Sequence, residues 1–319
     1  MKYYAGIDLG GTNIAVGIVN ENYEILGKAS VKTNLPRSGE EIADDMAKAT
    51  RMAAENAGIS IDDLSWVGVG TPGAADGKTG VVIYSNNLKF FDLPLGKLVS
   101  ERLSGKKVYV ENDANAAAYG EVLAGAAKGV KNAIMITLGT GVGGGIIING
   151  EIYVGSNCFG AELGHTVIEY GGRQCSCGRK GCFEAYSSAT GLINMTKEEM
   201  EENKDSVMWK LTQSGKVSGR TAFDAMRAGD ESGKKVVDKY ISYLATGIAN
   251  MINIFQPEVL VIGGGVCNEG EALLAPLREL VFKEAYAIDE NTKTKICKAE
   301  LGNDAGIIGA AFLGNSYDK

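Results

Sequence analysis

The sequence of 319 residues is short of positive charge, proline and histidine. It has 32 Lys and Arg against 39 Asp and Glu, a net charge of −7, and that balance excludes a broad basic face for nucleic acid. No apolar run approaches the ~18 residues that span a bilayer, and the opening MKYYAGIDLGG lacks the apolar stretch of a secretory leader. Neither nucleic acid nor membrane is an expected partner, and the expected location is cytoplasmic. Cys175, Cys177 and Cys182 fall close together while Cys158, Cys267 and Cys297 are scattered, a distribution that suggests metal or free thiols and not a disulfide framework. Glycine is plentiful, 44 against 5 prolines. The glycines cluster, which points to backbone-lined loops and not to disorder. A hydrophobic fraction of 45% supplies ample core, and the length suggests about two domains.

Strand and helix patterns alternate along the chain, the signature of an α/β architecture. Residues 3–9 read as a buried strand, 14–19 as a second and 24–33 as a third. Ser38 and Glu41 form a capping box opening a helix that runs to Gly58. Strands at 66–69 and 107–110 follow, then an alanine-rich helix after Glu111-Asn112-Asp113. At Asn132 the plan restarts. DLGGTNIAVGIVN (8–20) and TLGTGVGGGIIIN (137–149) have equal length and share Leu9/Leu138, Gly10/Gly139 and Asn20/Asn149, an internal repeat of strand, glycine turn, strand and turn. In the second copy the loop is expected over 139–145 and the strand over 146–148. A long helix is expected over 233–256, ended by Pro257, then a strand into Gly263-Gly264-Gly265, a strand near 294–301 and a last helix from Asp304.

Two phosphate motifs nearly match and fail. Gly77-Lys78-Thr79 would end a P-loop, but Pro72 stands where the first glycine belongs. Gly139-x-Gly141-x-x-Gly144 fits a dinucleotide fingerprint, but a strand follows where a helix must begin. What remains is two hairpin turns, Gly10-Gly11-Thr12-Asn13 and Gly139-Thr140-Gly141, and a third glycine loop with Gly263 and Gly264. Successive backbone N–H groups in such turns make anion-binding concavities without lysine. Asp8, at the end of the first strand, suits Mg²⁺ held jointly with phosphate oxygens.

Asp113 has two readings on local grounds. It can cap the alanine-rich helix, or it can be a general base that accepts a hydroxyl proton. The single histidine, His165, stands in H-x9-C-x-C-x4-C with Cys175, Cys177 and Cys182. Three thiolates and one imidazole complete a tetrahedral Zn²⁺ site with no open position, so a structural metal is expected. Glu162 and Glu184 flank this set, and two such carboxylates can grip adjacent hydroxyls of a polyol.

These blocks together resemble the ROK family of repressors and sugar kinases, and most of all its bacterial glucokinases. The resemblance runs from Asp8–Asn13 through Gly70-Thr71-Pro72-Gly73, Asn86-Asn87-Leu88, Glu111–Asn115 and Leu138–Gly145 to Glu162–His165, Cys175–Glu184 and Gly263–Val266. It implies a two-lobed actin-like, ribonuclease-H-like ATPase fold with a duplicated βββαβα core. The smaller lobe would be 1–112 plus 304–319 and the larger 113–303. It implies ATP with Mg²⁺ bound by Asp8, Gly10, Gly11, Thr12, Asn13, Gly139, Thr140, Gly141, Gly263 and Gly264, and Asp113 as the base at a hexose primary hydroxyl. The sugar would be held by Asn87, Asn112, Asp113, Glu162, His165 and Glu184, with one imidazole nitrogen on zinc and the other toward a hydroxyl. A homodimer or larger assembly is implied. Asn86 and Phe90-Phe91 stand where the family usually has a proline and a tryptophan, so the hexose could be glucose, fructose, mannose or an N-acetylhexosamine. The family's sugar-sensing regulators carry a DNA-binding segment, for which the early position of Asp8 leaves no room, so the alternative to a hexose kinase is a sugar-sensing regulator without a DNA-binding domain.

Overall fold

The computed structural model describes residues 1–212, 216–286, 289 and 291–318. The first half of the chain forms β1 (Tyr3–Leu9), β2 (Asn13–Asn20), β3 (Ile25–Lys32), α1 (Gly39–Ala57), β4 (Leu64–Thr71), β5 (Ala74–Asp76), β6 (Val81–Ser85), β7 (Phe90–Leu93), α2 (Leu95–Arg102), β8 (Val108–Asn112) and α3 (Asp113–Ala124). The second half forms β9 (Ala133–Leu138), β10 (Val142–Ile148), β11 (Glu151–Ile152), α4 (Glu184–Ser187), α5 (Ala189–Glu202), α6 (Met208–Leu211), α7 (Thr221–Arg227), α8 (Glu231–Phe255), β12 (Val259–Gly263), α9 (Glu271–Glu284), β13 (Lys295–Lys298), α10 (Asp304–Ala311) and α11 (Gly314–Tyr317).

The repeat seen in the sequence is a repeat of topology. One five-stranded sheet has the order β3-β2-β1-β4-β8, the other β11-β10-β9-β12-β13. Each begins with three consecutive strands that lie side by side and adds two later strands beyond the first. With insertions set aside, β1-β2-β3-α1-β4-α2-β8-α3 runs parallel to β9-β10-β11-α8-β12-α9-β13-α10. The small β5-β6-β7 sheet is an insertion in the first copy. The loops and helices between β11 and α8 are the insertion in the second.

The chain divides into two compact units. The first is Met1–Met135 with Gly145–Ala161 and Ala299–Lys319, and the second is Ile136–Gly144 with Glu162–Lys298. In the first unit, side chains alternate across β1 with period two. Ala5, Ile7 and Leu9 join Ile42 and Met46 of α1 and Val67 and Val69 of β4 in one core. Helix α1 is held at both ends as its sequence predicts. Ser38 and Glu41 make the reciprocal capping box, and Gly58 closes the helix at φ 71.

The opposite face of β1 carries Tyr4, Gly6 and Asp8, and α10 lies against it. Gly6 and Gly68 are in register, and a Cβ on either would run into α10 carbonyls at Ile307 and Ala310. Helix α3 meets α10 just as closely, since a Cβ at Gly309 would strike the Ala116 carbonyl. This explains why the compact units differ from the expected lobes. Backbone-to-backbone packing on α10 draws α3, expected in the larger lobe, into the first unit, which also takes 145–161 and 299–303.

In the second unit α8 spans seven turns, and its buried stripe of Val236, Val237, Tyr240, Ile241, Leu244, Ile248 and Ile252 follows the helical period. Strands β12 and β13 pair in parallel. Among the described residues no helix is long and apolar enough to cross a membrane.

Candidate active site and metal centre

In the first unit, β1 and β2 are joined by the turn Gly10–Thr12, closed by the Gly10 N–H donating to the Asn13 carbonyl at 2.9 Å. Thr33, fully buried at the end of β3, pins the turn from behind. Its hydroxyl donates to the Gly10 carbonyl at 2.7 Å and its N–H to the Thr12 carbonyl at 3.0 Å. Asp8 stands one strand position before the turn, on the face covered by α10. Burial, and then the charge of Asp113, push its carboxyl up to about 6. Two carboxylates thus face one another's field in a desolvated setting, which is what a divalent cation relieves.

Asp113 stands at the corner between β8 and α3. The helix cap is Asn112, whose Oδ1 accepts from the N–H groups of Ala114 at 2.9 Å and Asn115 at 3.1 Å. Its Nδ2 donates to the Gly73 carbonyl at 3.0 Å. Asp113 is therefore not needed as the cap. Burial raises its pKa, with the Ala114 N–H opposing. The preceding Glu111, 1% exposed, anchors the corner from within. It accepts from the Asn112 N–H at 2.7 Å, from Asn115 Nδ2 at 3.0 Å and from the Tyr317 hydroxyl, and burial raises its pKa too. Sequence reading missed this role, because its partners come from α3 and from the far end of the chain. Asn87 lies exposed in the turn between β6 and β7.

In the second unit the expected loop 139–145 is shorter than predicted. The turn is Gly139–Gly141, closed by the Gly139 N–H on the Gly141 carbonyl at 3.1 Å, and β10 already begins at Val142. The glycines 143–145 are strand residues whose missing side chains admit close neighbours. Leu163 packs where a Gly144 Cβ would be. The third glycine loop abuts the same region. Gly264, at φ 85, has no room for a Cβ because the Leu138 carbonyl would lie 2.5 Å from it, so Gly264 meets the second turn's root backbone to backbone. Gly263 is the last residue of β12.

The predicted metal set assembles. One donor atom from each of His165, Cys175, Cys177 and Cys182 lies within 4.8 Å of every other. The loop that carries them is knitted by backbone bonds, Phe183 N–H to Thr166 at 2.8 Å, Ile168 N–H to Gly181 at 2.9 Å and Cys175 N–H to Arg179 at 2.9 Å. Phe183 seats the loop against α8 at Gly247. Cys177 Sγ and Cys182 Sγ are 3.6 Å apart, and Cys175 Sγ is 3.8 Å from His165 Nδ1. Donors around 2.3 Å from a tetrahedral zinc stand about 3.8 Å apart, so the residues fit this metal. Burial and the neighbouring sulfurs push the Cys182 thiol up to about 12, while the Arg179 N–H draws Cys177 down.

Glu184 is tied to both features. Its Oε1 accepts from the Ser176 hydroxyl at 3.0 Å, and its Oε2 accepts from the Val142 N–H at 3.0 Å. Glu162 is exposed just ahead of the short turn that carries His165.

A family model described as the ROK family matches residues 4–316. The chain belongs to the ROK family. A ROK relative, the glucokinase of Halalkalibacterium halodurans, is 39% identical over 317 residues, covering 98% of this chain and 94% of the relative. The glucokinase of Thermotoga maritima is 38% identical over 311 residues, covering 97% and 96%. A solved ROK glucokinase from Streptomyces griseus, in complex with glucose and AMPPNP, superposes with a TM-score of 0.79 at 35% identity and 98% coverage of both chains. The two-sheet architecture is thus the actin-like ATPase fold of ROK sugar kinases.

Proposed function

We propose that this ROK protein is a glucokinase, transferring the γ-phosphoryl group of ATP to the primary hydroxyl of glucose to give glucose 6-phosphate and ADP. The observation that carries the reading is Asp113. Asn112 takes over the helix cap, and burial raises the affinity of the Asp113 carboxylate for a proton, as suits a general base. The likeness to glucokinases over nearly the whole chain supports the substrate pair.

In this reading Asp113 accepts the hydroxyl proton as the sugar oxygen forms its bond to the γ-phosphorus, and the bond from that phosphorus to the bridging oxygen breaks to release ADP. The N–H groups of the turns at 10–13 and 139–141, with the loop at Gly263 and Gly264, bear the phosphate charge. Mg²⁺ bound with ATP would be held by Asp8 and neutralise phosphate oxygens. Asn87, Asn112, Glu162, His165 and Glu184 orient the sugar. His165 offers Nε2 to a hydroxyl because Nδ1 faces the sulfurs. A zinc ion on His165, Cys175, Cys177 and Cys182 would cross-link the segment that runs from Glu162 to Glu184. We place the enzyme in the cytoplasm as a homodimer or larger assembly.

A coupled assay of ADP release with ATP, Mg²⁺ and a panel of glucose, mannose, fructose and N-acetylglucosamine tests the proposal. The expected result is the highest kcat/KM with glucose. No stimulation by any sugar removes the kinase reading, and a better rate with another hexose replaces the substrate.

Asp8 gives a second test through stability. A carboxyl raised to about 6 binds an extra proton in the folded state between the ordinary carboxylate range and pH 6. Its contribution to stability is therefore present at low pH and lost as pH rises through about 6. Above that, ionised Asp8 costs at most about 3 kcal/mol. Asp8→Asn should abolish turnover yet raise the Tm of the ligand-free protein at pH 8 by a few degrees, with the gain vanishing near pH 4. A Tm unchanged at pH 8 would show that Asp8 is not under electrostatic load.

A further inference from the structure

The two glycine turns differ in sequence but are braced alike. In the first, a threonine hydroxyl and a backbone N–H, both from Thr33, hold the carbonyls of Gly10 and Thr12. In the second, the Thr190 hydroxyl donates to the Thr140 carbonyl at 2.7 Å and the Ala189 N–H to the Gly139 carbonyl at 2.9 Å. A carbonyl turned toward a phosphate would repel it, whereas an N–H attracts it. Bonding the carbonyls from behind fixes the turn with its donors outward. The N–H groups of Gly11, Thr12, Thr140 and Gly141 make no hydrogen bond among the described residues.

The source of the second brace matters. Thr33 directly follows β3, the strand paired with β2 beside the first turn. Ala189 and Thr190 open α5, which follows α4 and Glu184 directly after Cys182. Glu184 adds a third tie, to the Val142 N–H. The peptide that leaves the cysteine loop therefore grips the turn at three places, Gly139, Thr140 and Val142.

We propose that Thr190 is a positioning residue for ATP, holding the Gly139–Gly141 turn in its phosphate-binding form, and that the cysteine loop sets nucleotide affinity through this segment. The proposal rests on the kinase reading above and deepens it. Thr190 touches the turn's carbonyl and not the sugar-binding groups, so its loss acts on one substrate only.

The test compares Thr190→Val, which keeps shape and loses the donor, with Thr190→Ser, which keeps the donor. Turnover is measured with ATP and glucose varied separately, and binding of a non-hydrolysable ATP analogue and of glucose by calorimetry. Thr190→Val is expected to raise the KM for ATP and the analogue Kd about three- to tenfold, the effect of one lost hydrogen bond. The KM for glucose, zinc content and Tm should stay at the wild-type values, and Thr190→Ser should restore ATP affinity. An unchanged ATP affinity overturns the proposal. So does an equal rise in both KM values, a fall in Tm that accounts for the change, or failure of serine to rescue. Wild-type enzyme in the same assay separates this outcome from failure of the kinase reading, since that failure would leave the wild type without glucose-dependent turnover.

Discussion

Asp113→Asn is expected to lower kcat by about a thousandfold, within the range of a lost general base, while glucose still binds. Asparagine has the shape of aspartate and can keep the contact now made by Asp113 Oδ1 with the Ala114 N–H at 2.8 Å. The cap of α3 is independent of it, because Asn112 supplies that. What the substitution removes is the capacity to take a proton and one negative charge beside Asp8. The second loss has its own signature: without Asp113 the carboxyl of Asp8 should titrate lower, since the Asp113 charge is one of the two causes that raise it. Single-turnover rates, glucose binding by calorimetry and Tm together check the prediction. A near-normal rate would make Asp113 a structural residue of the helix start.

This residue also shows where sequence reading stops. Asn112-Asp113 offers two adjacent residues that both cap helices well, and only the backbone course shows that the first is used. The strands, the capping box at Ser38 and the C-cap at Gly58 were legible because their signals are local. The duplication was legible because two hairpins of equal length begin at Leu9-Gly10 and Leu138-Gly139. The cluster of His165 with Cys175, Cys177 and Cys182 was legible through a lone histidine near three close cysteines. The glycines at 143–145 misled, because a glycine run reads as a loop unless the neighbour that needs the space is known, here Leu163. The boundaries of the compact units had no sequence signal for a related reason. The contact of Gly309 with α3 depends on residues nearly two hundred positions away, and α10, DAGIIGAA, is buried nearly all round, with no polar face to orient it. The roles of Glu111, Thr33 and Thr190 left no trace, since neither a buried acid nor a threonine has a pattern until its partner is placed.

Removing the proposed zinc should have the broadest effect of all. Chelation that strips zinc, or Cys182→Ser, is expected to lower Tm by several degrees and reduce activity at least about tenfold to a hundredfold, the scale at which disturbed metal sites lose function. Cys182 is fully buried, beside Cys177 at 3.6 Å, and without a cation its thiol resists ionisation, being pushed up to about 12 by burial and its sulfur neighbours. A bound cation would let Cys182 become a thiolate, and the folded loop in turn holds Phe183 against α8. Elemental analysis should give about one zinc per chain in the wild type, as four protein ligands imply. Cys158→Ser, outside the cluster, should keep both metal and activity. The pattern of loss separates two roles. A metal that only staples the loop would lower Tm and leave the KM of the surviving folded fraction unchanged. A metal that fixes the His165 ring and, through the segment from Glu184 to Thr190, the phosphate turn should raise the KM for glucose and ATP together. Fully active protein free of zinc would remove the metal from both roles and leave the cysteines as buried thiols.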